Sequence, residues 1–243
     1  MLYRYSFYGS DTISITRELF DILEDRVPYM ISMISSDLAK ATLNDIAPRR
    51  ELPTVYIPDP SNEPIIGVID TFFDETVYFS KWVENHVYLD DIERTMVRLD
   101  DCEHGTQVSS IIVDGPFLNP WLDDGCGRFR VRHFGVCAER INTSRLVRKI
   151  KNIVEENPDI HVWNLSLGTE DETSKNFISF DAAMLDALQA KRNIVFVVSG
   201  TNDNRDVRAD RLKVGSPADS LNSIVVNSVR RNGTPTSYSR TGT

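Results

Sequence analysis

The sequence predicts an α/β fold: a doubly wound, mostly parallel sheet with helices on both faces. Short β-branched runs alternate with helical stretches along most of the 243-residue chain. Strands that alternate with helices in this way form right-handed βαβ units, which pair strands in parallel and place helices on both sides of the sheet. With 41% hydrophobic residues, the chain is also long enough to bury one substantial core.

Composition divides the chain into three segments. In residues 1–46, apolar side chains recur three or four positions apart from about residue 12 onward, which predicts a helical segment that Pro28 splits into two helices. Residues 47–63 are rich in proline and predict an extended connector. Residues 64–243 carry the alternating strands and helices, so we place the main domain there.

Five apolar runs within the main domain predict the strands of the sheet. They cover residues 65–69, 129–136, 160–165, 193–198 and 223–229. One helix is predicted from Thr143 or Ser144 to the Asn157-Pro158 pair, because a capping residue opens it and a proline closes it. A second helix is predicted over about 178–191, where the apolar positions again follow helical spacing.

Charge and composition exclude several classes of function. The formal net charge of −9 and the pI near 5.0 argue against a binder of nucleic acid or of anionic membranes. The longest apolar run, residues 194–198, is far too short to span a bilayer, and the amino-terminal residues lack the layout of a signal peptide. Three cysteines without a Cys-x-x-Cys pair suggest neither a disulfide framework nor a zinc site, so we expect a cytoplasmic protein.

Two polar residues stand where such a sheet collects functional groups. Asp70 ends the first predicted strand, and functional side chains in open α/β sheets gather just past the carboxyl ends of strands. His104 opens a predicted helix whose first turns carry small residues. Each alone has an ordinary structural interpretation, Asp70 as the cap of a turn and His104 as a packed imidazole. Together they predict acid–base chemistry, because a buried Asp can fix the imidazole through Nδ1 and leave Nε2 as a general base.

Two further strand ends carry groups suited to peptide chemistry. Asn202 lies in the polar turn after the fourth predicted strand, where its amide can donate a hydrogen bond to a developing oxyanion, although Asn is also common in ordinary turns. Ser166, Leu167 and Gly168 follow the third predicted strand. A strand that ends in small residues leaves its main-chain groups open for pairing with an extended peptide.

These segments, taken in order, resemble the subtilisin-like serine peptidases, the subtilases. The matching segments are residues 68–71 for the family's Asp box, 104–108 for its His box, 164–168 for its substrate-binding strand, 199–202 for its oxyanion-hole segment, and 216–218, 224–229 and 237–242 for the stretch that follows. The likeness covers roughly residues 64–243. No single box is specific, and the order of the boxes on a βαβ background carries the resemblance.

The resemblance implies a subtilisin-like fold and a serine endopeptidase that hydrolyses peptide bonds with an Asp-His-Ser triad. Asp70 would orient and balance His104, His104 would take the proton of the serine, and Asn202 would help to stabilise the tetrahedral oxyanion. Residues 166–168 would pair with the main chain of an extended protein or peptide substrate and wall the pocket for its first side chain.

The nucleophile of the triad is missing from the sequence. The family's serine lies in a Gly-Thr-Ser-x-Ala box that opens a buried helix, downstream of the part that residues 237–242 resemble. Residues 199–201 look like the beginning of that box, but the polar run at 202–206 follows instead of an apolar helix, so Ser199 is a poor candidate. We therefore expect a domain that is incomplete at its carboxyl end, inactive alone, and completed by a missing C-terminal part of the same protein.

Three positions depart from the family's pattern. Phe72 stands in place of a Gly, Gln107 in place of a second His, and Thr201 in place of the Gly before Asn202. We expect the side chain of Phe72 to crowd the turn that carries Asp70. None of the three departures removes a group that does chemistry.

No cofactor is required for this chemistry, and no metal site is predicted. Calcium on the paired aspartates at 90–91, 100–101 and 123–124 is not supported by any regular ligand spacing, and a solvated acidic face is the simpler interpretation. His133 and His161 lie inside predicted strands and are interpreted as structural.

Two other classes of function stand beside the peptidase. A pseudopeptidase, or a module that binds peptides or partners on a subtilase scaffold, would lack the serine altogether. A nucleotide-binding domain is disfavoured, because neither a Gly-x-Gly-x-x-Gly motif nor a Walker loop follows the first strand.

Overall fold

The chain divides into two compact units, Met1–Ser35 and Ser36–Thr243. The computed structural model describes residues 6–7, 13–14, 56–89, 91–94, 99–120, 123, 125–136, 143–169, 172–203 and 212–242. In the first unit, β1 (Ser6–Phe7) pairs antiparallel with β2 (Ile13–Ser14). β2 lies at the start of the segment predicted to be helical from about residue 12, and the rest of that prediction lies outside the described residues.

A parallel sheet forms the centre of the second unit. Its strands are β3 (Ile65–Asp70), β4 (Val83–Val87), β5 (Arg130–Gly135), β6 (Val162–Leu165), β7 (Val195–Ser199) and β8 (Ile224–Val226). They lie side by side in the order β4-β5-β3-β6-β7-β8, and every neighbouring pair is parallel. The predicted mostly parallel α/β fold is thereby confirmed.

The helices follow the predicted alternation. They are α1 (Asp91–Arg94), α2 (Glu103–Leu118), α3 (Thr143–Glu156) and α4 (Phe180–Lys191), with short 3-10 helices at Ser80–Trp82 and Leu99–Cys102. α4 begins where the Ser179 hydroxyl accepts a hydrogen bond from the Ala182 amide, as an N-cap does. α2 bends at Asp114, two residues before Pro116, because a proline inside a helix removes a hydrogen bond and clashes with the preceding turn.

Helices cover both faces of the sheet, as predicted. On one face, Val68 and Val131 pack with Val113 of α2. On the other face, Ile69 belongs to a larger cluster that includes Leu146 of α3 and Leu185 of α4. Consecutive strand residues point to opposite faces, so each buried side chain adds its burial energy, about 1.5–3 kcal/mol, to one of two separate cores. Among the described helices, none combines the length and apolar character that crossing a membrane requires.

The strand order places the candidate residues on one edge of the sheet. β3 is the first strand of this sheet along the chain and lies in its interior. β4 and β5 follow on one side of β3, and the chain then crosses over to form β6, β7 and β8 on the other side. Because all these strands are parallel, their carboxyl ends share one edge, and β3 lies at the point where the direction of winding switches. Ligand sites of open α/β sheets lie at such switch points.

Candidate active site

Asp70 and His104 form a hydrogen-bonded pair at the carboxyl end of β3. The His104 Nδ1 lies 2.6 Å from the Asp70 Oδ1. The Asp70 side chain is fully buried, whereas 35% of the His104 side chain is exposed. Since a carboxylate can only accept hydrogen bonds, Nδ1 carries the proton of the neutral ring, and Nε2 is left as the basic nitrogen of this partly exposed ring. The structure therefore brings the two predicted residues together. The proton of the ring is on the nitrogen next to Asp70, which leaves Nε2 to act as a general base.

The pKa of His104 lies above its usual value. Burial by itself lowers the pKa of this imidazole, but the hydrogen bond that it donates to Asp70 and the negative charge of Asp70 outweigh that effect. The carboxylate also accepts a hydrogen bond of 2.7 Å from the Thr71 amide. Asp70 therefore stabilises the imidazolium, the form that His104 takes once it has accepted a proton.

Gly105 allows the helix that carries His104 to reach the end of β3. Its amide donates a hydrogen bond of 2.8 Å to the Thr71 hydroxyl. A Cβ atom at this position would lie only 2.7 Å from the carbonyl oxygens of Thr71 and Phe72. Any side chain would therefore push the start of α2, and His104 with it, away from Asp70.

A second histidine, His133, contacts the turn that follows β3. His133 of β5 is buried, and its Nε2 lies 2.8 Å from the Thr71 carbonyl oxygen, while its Nδ1 lies 3.1 Å from the Ser109 hydroxyl. The carbonyl is an acceptor, so Nε2 donates and the Ser109 hydroxyl donates to Nδ1. Burial lowers the pKa of His133, more than the Thr71 carbonyl and the Asp70 charge raise it. The sequence identified His133 as structural but did not show that it contacts the turn after β3, since that contact spans 62 positions.

Phe72 does not disturb the Asp70–His104 pair. The expectation that its side chain crowds the turn carrying Asp70 was wrong. Its ring is buried beside Leu89 and Cys102. It lies over Gly135, where an added Cβ would come within 2.6 Å of the ring. The absence of a side chain at Gly135 thus gives Phe72 room that the sequence near Asp70 does not reveal.

Burial, together with the charges of two nearby aspartates, raises the pKa of the Cys102 thiol, which argues against a reactive thiolate there.

Asn202 is exposed in the turn after β7 and is held through its main chain. It bridges to Ser239, and its carbonyl oxygen accepts a hydrogen bond of 2.9 Å from the buried Arg240 guanidinium. The same guanidinium donates to the Lys213 carbonyl oxygen at 3.2 Å. The next amide, that of Asp203, donates to the Tyr238 carbonyl oxygen at 2.8 Å. These contacts fix the backbone of Asn202, which is an exposed residue at the carboxyl end of the sheet.

The predicted substrate-binding segment lies at the adjacent strand end. Leu167 is buried in the larger core, and Gly168 faces the side chain of Thr201, the residue before Asn202. The Ser166 hydroxyl donates to Asn164 at 2.9 Å. The structure thus brings the end of β6 against the turn after β7, as it brings Asp70 against His104.

Among the described residues, no serine or threonine hydroxyl is hydrogen-bonded to His104. The Ser199 hydroxyl instead accepts a hydrogen bond from the Thr201 amide at 3.1 Å, inside the turn that holds Asn202. Its rejection as the nucleophile on the basis of sequence is consistent with this position.

Metal-binding side chains do not cluster in the described part of the chain, where no group of three or more His, Cys, Asp or Glu residues is positioned to hold an ion. Of the acidic pairs considered for calcium, Asp90 and Asp124 lie outside the described residues.

Comparison with solved structures shows the same fold in known proteases. A mutant of the protease domain of PatA matches with a TM-score of 0.55 and 20% identity over 74% of this chain and 62% of that one. The patellamide maturation protease PatA itself gives a TM-score of 0.51 and 19% identity, over 74% and 61% of the two chains. The psychrophilic subtilisin-like protease Apa1 from Pseudoalteromonas sp. AS-11 gives 0.50 and 17%, over 74% and 39%.

The chain thus spans about three fifths of the length of the PatA structures that it matches. No match was found among curated proteins. Residues 61–243 match the family model described as the subtilase family. This range includes Asp70, His104, residues 166–168 and Asn202. The chain belongs to the subtilase family.

Proposed function

We propose that this chain supplies the acid–base pair, the oxyanion donor and the peptide-binding edge of a serine endopeptidase. Its subtilase fold provides the protease scaffold. The observation that carries the proposal is the 2.6 Å contact between a fully buried Asp70 and a partly exposed His104. A buried carboxylate that holds Nδ1 and leaves Nε2 accessible is the arrangement that general-base activation of a hydroxyl requires.

The reaction follows from these positions. His104 Nε2 takes the proton of a serine hydroxyl as the serine oxygen attacks the carbonyl carbon of the scissile peptide bond. The side-chain amide of Asn202 donates a hydrogen bond to the resulting oxyanion, an interaction worth about 3–4 kcal/mol in comparable sites. The imidazolium, stabilised by Asp70, then returns the proton to the leaving amine. Water repeats the same steps on the acyl-enzyme and releases the acid.

The serine itself is proposed to come from a part of the protein outside these 243 residues. The main support is the exposed surface of β8, the strand at the edge of the described sheet. Ile224 and Val226 of this strand are 54% and 50% exposed, and the flanking Leu221 is 76% exposed. Contiguous apolar surface on an edge strand is normally covered. A segment that packs on β8 and carries the serine would complete both the sheet and the triad.

The substrate is proposed to be an extended peptide that pairs with residues 166–168. The side chain of Leu167 is buried, which fixes the path of the main chain at the edge of the sheet. An extended peptide in this position would run past Asn202, so that one of its carbonyl groups would come under the amide of Asn202.

Three experiments test the proposal. The purified 243-residue chain should hydrolyse no peptide substrate, and serine-dependent turnover by this chain would contradict it. Translation of the coding DNA past codon 243 should show a Gly-Thr-Ser-x-Ala box followed by an apolar helical pattern. In the protein that carries this box, Asp70→Asn should lower kcat by about 10⁴-fold, because the imidazole loses its correct tautomer.

A peptide-binding module on the same scaffold is the alternative. Both functions are compatible with a His104 that has no hydroxyl partner among the described residues, so the two are separated by experiment. The binding module predicts that the full-length protein binds extended peptides without cleaving them. A stop codon or an unrelated domain after codon 243 would establish it in place of the peptidase.

A further inference from the structure

Thr201 has an unusual backbone conformation for its residue type. Its φ is +66°, and among the described residues it is the non-glycine residue with a positive φ. Because a β-branched side chain is strained in this region, surrounding contacts must hold it there. Its hydroxyl provides two of them: it donates to the Gly200 carbonyl oxygen at 2.7 Å and accepts from the Gly215 amide at 3.0 Å.

The side chain of Thr201 fills the space between Gly168, which follows β6, and Gly215. A Cβ atom on Gly168 would lie 2.3 Å from the Thr201 Cγ2, and a Cβ atom on Gly215 would lie 3.0 Å from the Thr201 Oγ1. The methyl group therefore occupies the volume that a side chain on Gly168 would take. The hydroxyl faces Gly215, so the bonds described above fix the methyl group in this direction.

We propose that Thr201 determines specificity by closing the pocket for the substrate side chain next to the cleaved bond, so that only glycine or alanine fits there. This inference rests on the proposed function, in which residues 166–168 pair with the peptide and Asn202 holds its carbonyl oxygen. A substrate residue in that position has its main chain beside Gly168 and its carbonyl beside Asn202. Its side chain then points at the Thr201 methyl group.

The expected selectivity follows from the cost of fitting one more methylene group into a filled pocket. A pocket that lacks room for one methylene group discriminates by about 10-fold to 200-fold against the larger side chain. A leucine or phenylalanine would have to displace Thr201, which its two hydrogen bonds and its packing on Gly168 oppose.

The test measures binding of product-like peptides to the 243-residue chain by fluorescence anisotropy. The probes are dye-labelled hexapeptides that are identical except for a carboxyl-terminal glycine, alanine, leucine or phenylalanine. Thr201→Gly removes the whole side chain and suits the positive φ, whereas Thr201→Ser removes the methyl group and keeps the hydroxyl. Asn202→Ala marks binding at the proposed site, and a thermal melt of each variant checks that it folds.

We expect the wild-type chain to bind the glycine and alanine peptides at least 10-fold more tightly than the leucine and phenylalanine peptides. Thr201→Gly should reduce this ratio to about threefold or less, and Thr201→Ser should lower it to a similar value, because the methyl group alone blocks the space. Selectivity that survives in Thr201→Gly, or that is absent from the wild type, would overturn the inference while the peptide site stands. Failure of all peptides to bind, or binding unaffected by Asn202→Ala, would overturn the proposed peptide site and the inference with it.

Discussion

The two halves of the candidate active site are held together by different kinds of contact. On the β3 side, the contacts are made by side chains. Asp70 is fully buried and is hydrogen-bonded to His104, and the buried His133 is hydrogen-bonded to the turn after β3. On the β7 side, main-chain contacts dominate, since the carbonyl of Asn202 is held by Arg240 and the preceding Thr201 is strained. The first half is enclosed by core packing, whereas the second lies next to the exposed apolar strand β8.

This difference indicates which half can form independently. The acid–base pair needs only β3, β5 and the start of α2, all of which are packed in the described chain. The β7 side relies on residues 238–241, which run beside the turn after β7. We therefore expect changes on the β3 side to alter stability and the pKa of His104 together, and changes near β8 to have little effect on either.

The largest effect is expected from Gly105→Ala. The new Cβ would meet two carbonyl oxygens at 2.7 Å, and such overpacking should cost about 3 kcal/mol of unfolding free energy. It should also lower the pKa of His104, because the imidazole moves away from Asp70. Urea denaturation and an NMR titration of the imidazole measure the two quantities.

Gly115→Ala is the matched control for this substitution on the same helix. A Cβ there would have its nearest neighbour at 3.6 Å, which is an ordinary contact. Its unfolding free energy should stay within about 1 kcal/mol of the wild type, since alanine favours a helix over glycine by roughly that amount. Equal losses from the two substitutions would show that Gly105 is not a special point of contact.

A smaller effect, of about 2 kcal/mol, is expected from the pH dependence of Asp181 on the β7 side. This residue of α4 is buried, and its Oδ2 accepts a hydrogen bond of 2.8 Å from Ser216, the neighbour of Gly215. Burial raises the pKa of Asp181 from 3.8 to about 6; the Ser216 bond lowers it in part, and the charge of Asp219 raises it further. The folded state therefore holds this proton more tightly than the unfolded state does.

Stability from this group should be fully present below pH 4 and should fall as the pH rises through 6. Asp181→Asn removes the titration, so the difference in unfolding free energy between wild type and variant should change by about 2 kcal/mol from pH 4 to pH 7. A difference that stays constant over this range would mean that the Asp181 carboxyl is not buried as an acid.

The smallest effect is expected at β8. Val226→Ala should change the unfolding free energy by less than about 0.5 kcal/mol, because the side chain is half exposed. Val198→Ala is the matched control in the neighbouring strand: that valine is buried in the larger core, and its truncation should cost about 2 kcal/mol. Comparable losses at both positions would show that β8 is already covered in this chain.

Sequence patterns predicted the parts of the fold that depend on local signals. β3, β5, β6 and β7 each carry apolar residues that are buried in the core. α3 was predicted from a capping residue and its apolar spacing, and α4 from its apolar spacing, so these elements were predicted within a few residues. β4 was missed because Val83–Val87 carries three polar residues at its centre, as an edge strand can. β8 was predicted too long, since only Ile224–Val226 pairs with β7.

The site was predictable where it depends on the order of motifs and not where it depends on distant contacts. Asp70 and His104 were identified as a pair from their places at a strand end and a helix start. The positive φ of Thr201 was not, because the Gly215 amide that helps to hold it lies 14 positions away. The room for the Phe72 ring likewise depends on Gly135, a residue on another strand.

An NMR titration of the His104 imidazole, in the wild-type chain and in Asp70→Asn, tests most directly whether the buried carboxylate controls the base. The wild type should titrate above 6.5, with the proton of the neutral ring on Nδ1, since Asp70 outweighs the effect of burial on this pKa. In Asp70→Asn the pKa should fall by about 1 to 3 pH units, because burial then acts alone. A wild-type pKa at or below 6.5, or one that Asp70→Asn leaves unchanged, would contradict an acid–base pair at this site.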